Sequence, residues 1–312
     1  MSATEVMSAP VPNAQRKGLR PRQKEAIACY LFILPWLLGF LIFVLAPMVA
    51  SAFLSLTEFS IMSPPKWIGT ENFVKMVDTP LFWQSLRNTL FMVALDLPLG
   101  LLASLSAAVL LNQKLRGINI FRTIFYLPAL IPAIANVLLW VWIFDKDSGI
   151  LNVFLKLIHL PPQPWLTDPN WAKPSLIFMN LWGIGGAMLI YLAGLKGIPM
   201  ELHEAGKIDG ATTWQAFWKI TIPLLTPTIL FQLVIGIIFE FQIFTQGYIL
   251  GGGPNFSTTF YVLELFNNAF RYLKMGYASA MAWVLFAITL IITLLVFRST
   301  PYWVYYEAER RR

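Results

Sequence analysis

Asp96 and Glu240 place carboxyl groups inside long apolar runs, Asp96 close to Pro98. An acidic side chain at the centre of a bilayer costs about 2.5–3.5 kcal/mol on insertion scales, so one that persists faces the protein interior or a wet cavity. Asp96 reads first as structural, a carboxyl bonded to Ser, Thr or freed backbone groups of a neighbouring helix. Gln232, Gly236 and Glu240 recur at intervals of four, which puts them on one helix face. Two readings of that stripe stand: interhelical hydrogen bonding with close approach at Gly236, or a cavity wall offering donors and acceptors to a hydroxyl-rich solute. Gln242 and Gln246 form a second pair, rotated from the first. Asn180, Gly183 and Gly186, with Trp182 beside them, make a stretch where another helix or a ligand can reach the backbone, and Asn136 is a weaker instance.

Other chemistries lack their residues. Gly251 to Gly253 run into Pro254 with no Lys-Ser or Lys-Thr after them, so no phosphate-binding P-loop is present. No Ser/His/Asp or His-Glu-x-x-His arrangement occurs, and His159 and His203 offer little for acid–base catalysis or metal binding. No catalytic residue and no metal ligand is assigned. Cys29 is the single cysteine and lies in an apolar run, where it reads as a small buried residue.

The elements that must position these groups are membrane helices. Hydrophobic residues make up 57% of the 312 residues and charged ones 12%, too little polar surface for a soluble chain of this length. Six apolar spans are expected, near 26–56, 82–111, 118–144, 173–195, 223–250 and 276–297, each long enough to cross about 30 Å of hydrocarbon. Pro35 and Pro47 are expected to bend the first, which is too long for a signal peptide. A short amphipathic piece at 150–160 is expected to lie at the interface. Fifteen of the 23 Lys and Arg residues fall on the side holding both termini, the 112–122 loop and the 196–219 segment. That side is therefore cytoplasmic. Trp67, Trp83, Trp165, Trp171, Tyr302 and Trp303 suit interfacial belts. The positive charge gathers at span ends and forms no aromatic-interleaved patch, so membrane lipid is the expected surroundings and nucleic acid is not a partner.

The polar interruption at 199–227 must face water. Pro199 can open a helix, Leu202, Ala205 and Ile208 recur at a helical interval, and Asp209-Gly210 stops it. Thr212 and Gln215 have capping-box spacing for a second helix with Trp214, Phe217 and Trp218 on its apolar face. A surface hairpin folded on the chain's own helices and a docking knob both fit. The segment resembles the EAA loop of binding-protein-dependent ABC importer permeases: Glu204-Ala205-Gly206, three residues, Gly210, nine residues, then Ile220-x-Ile222-Pro223. Gly206 stands for an Ala of that pattern and Ile222 for a Leu. WIGTENFVKM, FRTIFYLPALIP, QPWLTDPNWA and YILGGGPNFST extend the likeness to the maltose-type carbohydrate permeases over nearly the whole chain.

The resemblance implies an all-α integral membrane protein with a cytoplasmic EAA coupling-helix loop at 199–222, between the fourth and fifth spans. It organises the chain as a tail at 1–25, a permease domain at 26–298 and a tail at 299–312. Glu204, Ala205, Gly206, Asp209, Gly210 and Ala211 would contact the ATPase. Trp182, Gly183, Gly186, Glu240 and Gln242, with Asn180, would line the solute path. The implied partners are a second homologous permease, a cytoplasmic ABC ATPase dimer that alone binds ATP and Mg, and an extracytoplasmic solute-binding protein. The implied place is a bacterial or archaeal cytoplasmic membrane, with a sugar or oligosaccharide as cargo. Import of a phosphorylated polyol such as glycerol 3-phosphate is a rival, but no mid-span Lys or Arg is available for it. An ion-coupled transporter using Asp96 or Glu240 and a noncatalytic scaffold are the others.

Overall fold

The computed structural model describes residues 21–113 and 115–305. Arg16, Lys17, Arg20, Lys114 and Arg310 to Arg312, which enter the charge count, lie outside them. The chain divides into two compact units at Ser51/Ala52. In the first, α1 (Pro21–Phe40) runs into one π turn, Leu41–Leu45, and then into α2 (Ala46–Ser55), which ends in the second unit. The π turn lies just before Pro47, which has no N–H to give the ladder, and Ala46 N–H bonds back to the Leu41 carbonyl.

The second unit is mostly helical, with one departure from the all-α expectation. β1 (Thr57–Ser60) and β2 (Ser63–Trp67) pair antiparallel, Thr57 opposite Trp67 and Glu58 opposite Lys66. Pro64 and Pro65 forbid a continuing helix there. After α3 (Glu71–Val77) comes α4 (Pro80–Leu111), the long helix on which the unit is built. α5 (Ile118–Tyr126), a 3₁₀ turn at Leu127–Leu130 and α6 (Ala133–Ile143) occupy the expected third span as a pair bent by 99°. Ile131, preceding Pro132, takes extended dihedrals (φ −73°, ψ 129°), the conformation the proline ring imposes on its neighbour. α7 (Ile150–Leu157) is the short amphipathic piece. α8 (Pro169–Trp182) and α9 (Gly185–Lys196) are a second bent pair, turned by 49° across the break at Gly183, where the fourth span was expected.

α10 (Met200–Ile208) and α11 (Thr213–Ala216) follow. A π turn at Phe217–Thr221 then enters α12 (Ile222–Phe241), followed by α13 (Thr245–Ile249), α14 (Tyr261–Phe266) and α15 (Met275–Trp303). Among the described residues four helices are long and apolar enough to cross a membrane, or six when each bent pair is one crossing.

Three apolar clusters share α4. Phe82 and Leu86 pack with Ile237, Phe241 and Met281; Met92 packs with Trp140, Leu176 and Met179; Ala107, Ala108 and Leu111 pack with Met188, Tyr191 and Leu225. Lipid tails are as apolar as these side chains, so close fit and not water exclusion holds such helices together. Polar side chains tie down the ends. Arg122 donates from Nε and Nη2 to the Leu111 carbonyl at the end of α4, at 3.2 and 2.7 Å. Asn152 joins the loop after α6 to the loop before α8, donating to the Lys146 and Gln163 carbonyls and accepting from Gln163 N–H and Trp165 Nε1.

Candidate functional site

α4, α8, α9 and α12 bring the polar mid-span residues together. From α8, Asn180 Nδ2 donates to Asp96 Oδ2 on α4. Gln246 Nε2 on α13 lies 3.5 Å from Asn180 Oδ1. Gln232 Nε2 on α12 donates to the Ala187 carbonyl of α9 at 3.1 Å. The Glu240 carboxyl meets that of Asp96, and its Oε2 is buried with no hydrogen-bond partner. Asp96, Asn180, Gln232, Gly236 and Glu240 are walls of one cavity of about 260 Å³, completed by apolar residues that include Leu97 and Phe239. No Lys or Arg is among its walls.

Each wall has a local cause. The four-residue spacing on α12 aligns Gln232, Gly236 and Glu240. Gly236 admits α4, because a Cβ there would fall 2.3 Å from Leu97 Cδ1. The bend at Gly183 follows directly on Asn180, whose carbonyl accepts the Gly183 N–H at 2.9 Å. The arrangement can hydrogen-bond a hydroxyl-bearing solute through amides and carboxyls, and it offers an anion no compensating charge.

Of the residues expected along the solute path, Asn180 and Glu240 are in the walls. Trp182 is turned onto Trp140 with ring centroids 5.8 Å apart, Gly183 and Gly186 are not among the walls, and Gln242 is exposed at the end of α12. Asp96 and Gln232 belong with the site, although the expected path omitted both. The structural reading of Asp96 has the right kind of bond, but its partner is an Asn side chain.

The 197–221 connection forms two helices at a glycine turn. Pro199 caps α10 instead of occupying its first turn. Gly210 ends it at φ +78°, a left-handed conformation that favours glycine, and Ala211 N–H bonds the Gly206 carbonyl at 2.8 Å. Thr212 Oγ1 accepts from Gln215 N–H while Gln215 Oε1 accepts from Thr212 N–H, a complete capping box. Glu204, Ala205, Asp209 and Gly210 are exposed, whereas Gly206 and Ala211 are half-buried. Trp214 and Trp218 are also largely exposed, and Ile208 is 87% exposed, a large apolar side chain standing in solvent at the tip. His203 and Phe217 line a cavity of about 290 Å³ between this connection and the ends of α4 and α9. Among the described residues no cluster of three or more His, Cys, Asp or Glu side chains is placed to hold a metal.

The chain has extensive relatives. It is 44% identical over 299 residues to the probable ABC transporter permease YesP of Bacillus subtilis (strain 168), covering 94% of this chain and 96% of that one. It is 35% identical over 277 residues to the lactose transport system permease LacF of Rhizobium radiobacter, covering 86% and 92%. The solved structure of a bacterial alginate ABC transporter in complex with an alginate pentasaccharide-bound periplasmic protein contains a chain that superposes with a TM-score of 0.81 at 26% identity, covering 89% of this chain and 96% of that one. Residues 97–303 match the family described as binding-protein-dependent transport system inner membrane component. The chain belongs to that family, and it is a multi-pass membrane permease.

Proposed function

We propose that this permease forms half of the translocation path of an ATP-driven importer for a neutral sugar or oligosaccharide. The observation that carries the reading is the mid-span cavity: Asp96, Asn180, Gln232 and Glu240 present amides and carboxyls to a solute, with no cation among the walls. A phosphorylated polyol would need such a cation. The relative named for lactose transport supports a carbohydrate cargo.

Up to six crossings, counting each bent pair once, together with the excess of Lys and Arg on that side, support a cytoplasmic face for both ends of the chain and the 199–222 loop. Glu204, Ala205, Asp209 and Gly210 then face an ABC ATPase dimer, with Gly206 and Ala211 seating α10 on the lever that leads into α12. ATP and Mg belong to that ATPase. A second permease supplies the other wall of the path. A solute-binding protein delivers from outside, a reading supported by the periplasmic protein in the solved alginate complex. Closure of the ATPase dimer would pull the loop, turn α12 against α4 and switch the cavity between the two sides.

The test is uptake by the complete transporter in proteoliposomes. Sugar accumulation should require internal ATP and persist with an uncoupler, and Glu240→Ala should impair it while the complex still assembles. Uptake that collapses with the uncoupler and survives without ATP refutes the proposal. Normal uptake by Glu240→Ala with every sugar transported refutes the cavity's role.

A further inference from the structure

A second polar cavity, about 440 Å³, opens where α4 and α8 begin, lined by Trp83, Gln84, Arg87, Asn170, Lys173 and Asn255 among others. It lies on the same two helices as the mid-span site but nearer their N-terminal ends. Arg87 precedes Asp96 by nine residues and Lys173 precedes Asn180 by seven, about 13 and 10 Å along each helix. Given the orientation proposed above, these are the outer ends.

Two cations converge here without an anion. Arg87 lies near enough for its charge to bear on Lys173. Among the described residues neither makes an ion pair, and the exposed Arg87 guanidinium makes no hydrogen bond. Lys173 Nζ donates to Asn88 Oδ1 at 2.9 Å and lies 5.0 Å from the Phe91 ring. Asn88 in turn donates to the Phe256 and Thr259 carbonyls at 2.8 and 3.0 Å. Lys173 is thus held in place by a clip joining α4, α8 and the 256–259 backbone, with further N–H donors to spare. A preorganised pair of like charges repels itself, and a carboxylate between them would convert that repulsion into two charge-assisted hydrogen bonds.

We propose that Arg87 and Lys173 form the receptor for an Asp or Glu side chain of the solute-binding protein, which rests on the importer reading. The carboxylate belongs to the delivering protein, because the exposed Arg87 and the cavity it shares with Lys173 stand at the outer ends of α4 and α8, the side from which a periplasmic protein delivers. The contact is linked to the 256–259 backbone through Asn88, by two successive hydrogen bonds.

The experiment titrates the purified binding protein, loaded with its sugar, against ATPase activity of the complete transporter in nanodiscs. Arg87→Glu should raise the half-saturating concentration about tenfold and flatten its dependence on salt, as loss of an interfacial charge pair does. Lys173→Gln, which keeps a donor for Asn88, should give a smaller shift in the same direction. Arg87→Gln carries the same test if charge reversal prevents assembly. A compensating acidic-to-Lys substitution in the binding protein should restore half-saturation with Arg87→Glu. Unchanged half-saturation and salt dependence in the Arg87 and Lys173 variants would overturn this inference alone. Failure of the binding protein to stimulate even the unaltered transporter would overturn the importer reading and this one together.

Discussion

Gly206 is one of two places where the 199–222 loop departs from the EAA pattern it resembles, and replacing it with Ala sets two effects of similar size against each other. In a helix, Ala is favoured over Gly by about 0.8–1.0 kcal/mol. A Cβ at 206 would lie 2.9 Å from Ile220 Cδ1 and 4.0 Å from Ala211 Cβ. Carbon atoms prefer a separation of about 3.5–4.0 Å, so the Ile220 terminal methyl must give way. Turning a side chain about 30° from its rotamer costs roughly 0.5–1.5 kcal/mol. The gain and the cost nearly cancel, and Gly206→Ala by itself should change the opening free energy of α10 by less than about 0.5 kcal/mol. Ile220→Val removes the obstructing methyl. In that background Gly206→Ala should realise its full gain, about 1 kcal/mol, or roughly fivefold slower exchange of the α10 amides. Hydrogen exchange of the four proteins in nanodiscs, read as a double-mutant cycle, isolates the coupling. If Gly206→Ala slows exchange by the same factor whether position 220 is Ile or Val, the packing argument is wrong.

Two further substitutions probe the body of the protein. Asn180→Ala removes the amide donor to the buried Asp96 carboxyl, a loss of about 1.5–3 kcal/mol. The thermal midpoint of the purified permease should fall, and adding Asp96→Asn should recover part of it; an unchanged midpoint would mean that the Asn180–Asp96 bond is not stabilising. Glu264, on α14 outside the membrane spans, is 6% exposed, and burial pushes its carboxyl above the usual range although the Asn268 amide and Lys274 pull it back. A carboxyl with a raised pKa holds its proton more tightly in the folded state, so the penalty on folding grows as pH rises above the unfolded value and is complete above the raised one. Glu264→Gln, which can still accept from Asn268, should therefore raise the melting temperature at pH 8 by a few degrees. The advantage should shrink toward pH 4.5, and a difference independent of pH would refute the burial argument.

What could be read without coordinates was what depends on near neighbours. The apolar runs announced the membrane helices, Asp209-Gly210 marked the end of α10, and Thr212 with Gln215 specified a capping box that is present on both of its bonds. The four-residue spacing of Gln232, Gly236 and Glu240 already put three walls of the cavity on one face. Each of these signals acts within about one helical turn. The remaining features depend on how distant segments pack. The Asp96–Asn180 bond joins residues 84 apart, and nothing local reports such a partner. The rotation of α8 about its axis decided that Asn180 would face Asp96 while Trp182 turned to Trp140. A helix advances about 100° per residue, so two positions are enough to move a side chain from the cavity to a neighbouring ring. The 99° bend after α5 had a visible cause in Pro132, but its size is a property of the packed chain. Sequence determined which segments are helices and where they are capped, because those preferences are local. Only the tertiary structure decided which polar groups meet, because that depends on the rotation and close fit of helices far apart in the chain.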